Sequence, residues 1–356
     1  MKKGFVFIIH SIAGLVSGLF VLLMSLSGAI LVFHEELDRV EYPSDVIRAD
    51  SKIVSIDSCY NNLKKEFPRS QISNGLLTHS NQQSFVFTIY DSSYKAGKEP
   101  LKVFMHPQNG TVQKTKGAET FFANKAGRLH SSLFLGKTGE WLLGFFAFVF
   151  LISLVTGIIQ FRKSIIAVLL FRKMVLKKRN LHQLIGVYAL LFNLMIGLTG
   201  FWMQRYVLKK EFYQSGNYTP VLKPSPALFF SVDSSFAEMK KQYPDFTAHV
   251  IYFAQSKKGK TVIYGSRSSN SFIHSKKFAD AVFLDSAGKI SFTAFVNNID
   301  ASSRYDIINA QVHYGQYGGL TVKVIYFLFG LTGGLLSITG FLLWIRRKRR
   351  QVFLKP

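Results

Sequence analysis

Acidic residues are missing from long tracts of this 356-residue chain, and four of those tracts lack charge of either sign. Gly4–His34, Trp141–Phe161, Asn180–Gln204 and Val324–Ile345 contain no Lys, Arg, Asp or Glu. At roughly 20 residues per crossing, each is long enough to span a bilayer as a helix. A wholly water-exposed fold is thereby excluded. The expected fold class is a membrane protein, a four-helix transmembrane bundle with two large water-exposed insertions. Cysteine is nearly absent too, and the lone Cys59 rules out an internal disulfide. No P-loop, Rossmann fingerprint or nucleophile triad is visible. The first apolar run is too long for a signal-peptide h-region of about 7–15 residues, so it reads as an uncleaved first helix.

Where charge is present, it is lopsided. Lys2 and Lys3 precede the first apolar tract, Arg162–Leu181 carries seven basic residues, and Arg346–Pro356 carries six. None of these regions holds an acid, and all 20 Asp and Glu fall in Glu35–Glu140 and Glu211–Asp306. By the positive-inside rule, both termini and the middle loop are expected in the cytoplasm. Those regions supply 15 of the 44 basic residues behind the net charge of +24. Attraction to anionic membrane lipid is expected, and no nucleic-acid partner is needed to account for the charge.

Histidines recur with the apolar tracts at matching intervals. His10 precedes Gly28 by 18 residues, as His182 precedes Gly200; His130 precedes Gly157 by 27, as His313 precedes Gly340. A hydroxyl residue stands before each glycine: Ser27, Thr156, Thr199 and Thr339. Histidine is costly in a bilayer, so a symmetric set of four marks a functional site. Each half runs out through one helix and back through another, making the halves parallel repeats about an axis along the membrane normal. His10 and His182 then become mates near the cytoplasmic face, and His130 and His313 near the exported face. Mates facing across such an axis are placed as the two axial ligands of one metal, and two bis-histidine haems are the expected chemistry.

An interval of 18 residues spans about 27 Å of helix. Gly28 and Gly200 should therefore lie near the exported haem, and Gly157 and Gly340 near the cytoplasmic one, each admitting the porphyrin closely. His130 and His313 are expected on short turns bent before the crossing helices. Arg128 and Arg205 are candidate propionate partners on the exported side, with Arg162, Arg179 and Arg346 on the other. Zinc or copper fits less well, because no third ligand accompanies either pair. His34 is an alternative ligand or a propionate neighbour, although its repeat counterpart is Tyr206. His79, His106, His249 and His274 read as surface residues. The run Ser164–Phe171 is too short to cross and reads as interfacial.

The insertions repeat as well. Ser55–Pro68 matches Ser231–Pro244, each reading as a capped amphipathic helix stopped by proline. Alternating segments follow at Ser84–Tyr90 and Lys102–Met105, then at Val250–Ala254, Thr261–Tyr264 and Ala281–Leu284. Asn109-Gly110 and Ala287-Gly288 are hairpin signals. Each insertion is expected to be a small α+β domain, one helix on an antiparallel sheet.

At these residues the chain resembles the PepSY-associated transmembrane family of bacterial inner-membrane proteins, over nearly its whole length. The resemblance rests on His10 with Gly14 and Leu-Ser-Gly28, on Leu129-His130, and on Leu181-His182 with Leu-Thr-Gly200. It rests also on His313–Gly319 and on Ile-Thr-Gly340-Phe-Leu-Leu-Trp344 followed by basic residues. It implies PepSY-like periplasmic insertions and two b-type haems, one on His10 and His182, the other on His130 and His313. It also implies an oxidoreductase, reducing a ferric siderophore with electrons from a cytoplasmic reductase or quinol.

The expected segments run 1–34 (first helix), 35–129 (first periplasmic domain) and 130–161 (ligand segment and second helix). The basic loop 162–180 follows, then 181–204 (third helix), 205–312 (second domain), 313–345 (ligand segment and fourth helix) and the tail 346–356. Aromatics such as Tyr90, Phe104, Tyr252 and Tyr314 are available to contact substrate. Two other classes fit the same architecture: an anchored PepSY binding or regulatory protein, and a siderophore or iron transporter.

Overall fold

The computed structural model describes residues 3–42, 54–77, 84–169, 181–209 and 223–353. Arg179, His79 and most of the basic loop 162–180 lie outside the described residues. The chain divides into two compact units. One comprises Met1–His34, Lys125–Gly216 and Asn309–Pro356; the other comprises Glu35–Asn124 and Asn217–Ile308.

The first unit is helical. α1 (Lys3–Leu31), α5 (Lys137–Leu169) and α10 (Gly319–Phe353) are each long and apolar enough to cross a membrane. α1 packs along both α5 and α10. The third apolar tract departs from the expected single helix. It is divided into α6 (Leu181–Tyr188) and α7 (Leu190–Met203), and the pair is bent by 65°. Ala189 sits at the break with φ −91° and ψ 5°, and the Asn193 side chain donates to its carbonyl at 2.9 Å. Asn193 also donates to Thr332 Oγ1 at 3.0 Å, which ties the bend to α10. α5 runs unbroken through Leu169, so the described part of Ser164–Phe171 continues the second crossing helix.

Two further helices carry His130 and His313 near their ends. α4 (Phe122–Ser132) carries His130 in its last turn, and α9 (Ala301–Tyr314) carries His313. Left-handed residues then turn the chain toward α5 and α10: Leu133, Phe134 and Gly136 after α4, and Gly315, Gly318 and Gly319 after α9. The bent entry matches expectation, but full helices stand where short turns were expected.

The second unit is a single eight-stranded antiparallel sheet. α3 (Ile56–Glu66) precedes β1 (Gln71–Leu76), β2 (Phe85–Tyr90), β3 (Leu101–Met105) and β4 (Val112–Gly117). α8 (Val232–Gln242) precedes β5 (Phe246–Tyr252), β6 (Thr261–Arg267), β7 (Asp280–Leu284) and β8 (Ile290–Ala294). The order β4-β3-β2-β1-β5-β6-β7-β8 joins both insertions through the β1–β5 pair. They share one apolar core, in which Tyr60, Leu63, Phe87, Ile251, Ile263 and Leu284 are fully enclosed. Two separate sheets were expected, and one continuous sheet is found. α2 (His34–Val40) belongs to the same unit, where Glu35 pairs with Lys277 at 2.7 Å.

α3 and α8 cap each other. Asp233 accepts from the backbone of Ile56 and Asp57, both at 3.0 Å. Asp57 accepts from Val232 N at 2.8 Å and from the Ser231 hydroxyl at 2.6 Å. Each carboxylate thus satisfies free N–H groups at the start of the other helix.

Candidate functional site

Within the helical unit, four histidines meet as two pairs. The His10 and His182 rings have centroids 6.3 Å apart, and those of His130 and His313 are 6.2 Å apart. Interplanar angles are 65° and 47°. Every ring rests on the glycine of a different helix. A Cβ added at Gly28 would lie 3.0 Å from His130 Cε1, and one at Gly200 would lie 3.0 Å from His313 Cε1. The corresponding distances are 3.3 Å from Gly157 to His10 and 3.2 Å from Gly340 to His182. The expected cross-pairing of glycines with histidines is present. Its physical reason differs, since the absent side chain makes room for the imidazole itself.

The hydroxyl before each glycine meets the same ring. Nδ1 lies 3.0 Å from Ser27 Oγ in His130, 3.0 Å from Thr199 Oγ1 in His313 and 2.9 Å from Thr339 Oγ1 in His182. His10 Nδ1 is 3.4 Å from Thr156 Oγ1 and closer, 2.9 Å, to the Ser153 carbonyl. With Nδ1 engaged, Nε2 is the ring nitrogen left to bind a metal.

A cavity of about 540 Å³ adjoins the His10–His182 pair. Its walls include Phe7, Gly14, Gly157, Phe161, Gly186 and Arg347. That volume suits a small molecule or cofactor, for which pockets of roughly 300–1,000 Å³ are usual. Among the described residues, no group of three or more His, Cys, Asp and Glu is placed to hold a metal ion. Each pair offers two imidazole nitrogens, a number that would suit a metal whose other positions are filled by a macrocycle.

The remaining candidates fall elsewhere. His34 Nδ1 lies 3.1 Å from the Leu31 carbonyl and 3.4 Å from Gln316 Nε2, so it joins neither pair. Arg128 stacks over Phe134 at 5.7 Å. Arg205 donates to the Trp202 carbonyl at 3.0 Å and lies over that indole. Arg162 and Arg346 are exposed. His274, expected at the surface, is buried at 8% exposure, and Phe104 is wholly enclosed beside Phe121 and Tyr42. Tyr252 and Tyr314 are exposed.

Three contributors were not read from the sequence. Asn309, one turn before His313, donates to the Thr199 carbonyl at 3.2 Å and fixes α9 to α7. Tyr326 donates to the Val312 carbonyl at 2.7 Å, bracing the turn that carries His313. Arg347 lines the cavity and stacks over Phe7 at 4.6 Å. Spacing signals one element's periodicity, whereas these contacts join elements far apart in the chain.

The family model for the PepSY-associated TM region matches residues 7–347. No curated protein matches the chain.

Proposed function

The chain belongs to the PepSY-associated transmembrane family, and from that premise we propose a dihaem b-type electron-transfer protein of the bacterial inner membrane. Its reaction is the one-electron reduction of a ferric siderophore in the periplasm. The electron comes from a cytoplasmic reductase or from quinol. The observation that carries this reading is the pairing itself: two symmetric histidine pairs, with each ring seated on the glycine of another helix. The two pairs stand at 6.3 and 6.2 Å. Ordinary ring packing reaches the same distance, as His10 and Phe161 do at 6.2 Å, so the weight lies in the repetition of one arrangement at four positions.

In this reading, His10 and His182 hold one haem and His130 and His313 the other. When bound, each haem supplies an iron that carries a single electron. The residues do the rest: the glycines seat the imidazoles, and the apolar lining of Phe7 and Phe161 excludes water. The bundle has four crossings in two parallel repeats, with the bent α6–α7 pair as the third. Both termini are cytoplasmic, and the shared sheet of PepSY-like repeats is periplasmic. The exposed Tyr252 is an aromatic contact available to the chelate. Reduction to Fe2+ releases the metal, because hard oxygen donors hold the divalent ion less firmly.

Replacing His130 or His313 with Ala should halve the haem content and leave the His10–His182 site intact. Replacing His10 or His182 should spare the other haem. Pyridine haemochrome quantitation with reduced-minus-oxidised spectra checks both. Two haems retained in either variant would overturn the assignment.

A further inference from the structure

We infer that the residue before each site glycine is a positioning group, fixing the tautomer of the histidine it faces so that Nε2 stays open for metal. This rests on the haem reading and deepens it. A serine or threonine hydroxyl owns one proton. Ser27 gives it to the Leu23 carbonyl, Thr156 to Ile152, Thr199 to Met195 and Thr339 to Leu335, each at 2.7 Å. Toward the imidazole, the same oxygen can then only accept. Nδ1 must carry the hydrogen, and Nε2 must carry the lone pair. His10 reaches the same state more directly, since the Ser153 carbonyl 2.9 Å away has no proton to give.

The four sites are unequal. His313 Nδ1 lies 3.0 Å from the Thr199 hydroxyl. His130 and His182 likewise have the Ser27 and Thr339 hydroxyls at 3.0 and 2.9 Å from Nδ1. For His10 the hydroxyl is the longer contact, at 3.4 Å. Loss of the hydroxyl should therefore matter at Thr199, Ser27 and Thr339 and least at Thr156, where a backbone carbonyl is the closer partner. Partners of this kind raise ligand basicity, and their removal typically costs about 10–100-fold in metal affinity. A more basic imidazole favours the ferric state, so removal should also raise the haem midpoint potential.

The test compares the full-length wild type with Thr199→Val, Thr339→Val, Thr156→Val and Ser27→Ala, in detergent, by haem titration and spectroelectrochemistry. Thr199→Ser serves as rescue, because it restores the hydroxyl where misfolding would persist. The expected result is a raised potential and an affinity loss of about 10–100-fold for the His130–His313 haem in Thr199→Val. Thr199→Ser should recover both, and Thr156→Val should leave both near wild type. Two haems with unmoved potentials in Thr199→Val would overturn the positioning role alone. A wild type that binds no haem would overturn the reading beneath it as well.

Discussion

A methyl group at Gly28 or Gly200 would stand 3.0 Å from the imidazole it faces, tighter than at Gly157 or Gly340. Overpacking of this kind typically costs about 1–3 kcal/mol. Gly28→Ala and Gly200→Ala should lower the thermal midpoint and perturb the His130–His313 haem, with Gly157→Ala and Gly340→Ala milder. A change confined to the His10–His182 haem in Gly28→Ala would contradict the contact. Cys59 makes a separate case at this scale. It is fully buried, and burial, with a smaller contribution from the Asp233 carboxylate, pushes its thiol up to about 12. The thiolate is the reactive form, so maleimide should label Cys59 only after denaturation. Helical rise made the histidine–glycine pairing legible, because an 18-residue interval moves to the far end of one helix. The hydroxyl's task was not legible: its proton's destination depends on a carbonyl and a ring that sequence does not bring together.

Capping decides most at the level of elements. Removing an N-cap acceptor typically costs about 1 kcal/mol, and Asp57 and Asp233 each cap the neighbouring helix. Asp57→Ala and Asp233→Ala should each lower stability by about 1–2 kcal/mol in denaturant unfolding. Their effects should be non-additive, since each carboxylate sits in the helix start that the other one caps. Strict additivity would show the two caps to be independent. The repeated helix was legible from its caps and closing proline. β4 was missed because Val112–Gly117 carries polar and basic side chains, and β1 because it contains Gly75 and a bulge. The β1–β5 join had no local signal. Pairing of Asn74 with Tyr252 bridges segments far apart in the chain. The bend at Ala189 lacks any proline or glycine and is held instead by Asn193, so an uninterrupted apolar run concealed it.

For the whole molecule, the proposed orientation rests on charge and on which helix ends coincide. Arg347, near the end of α10, lies over Phe7, near the start of α1. His182, at the start of α6, faces His10, and Phe161, toward the end of α5, meets that same ring at 6.2 Å. Four helix ends flanked by acid-free basic sequence therefore gather at one end of the bundle, as the positive-inside rule requires of a cytoplasmic face. Charge counting alone predicted which segments share a side. The contacts add that the His10–His182 pair sits at that side. A green fluorescent reporter fused after Pro356 should fluoresce, while alkaline phosphatase inserted at the Ala287-Gly288 hairpin should be active. Phosphatase activity at Pro356 instead would invert the molecule. The His130–His313 pair would then face the electron donor, and the sheet could no longer meet a substrate outside the cytoplasm.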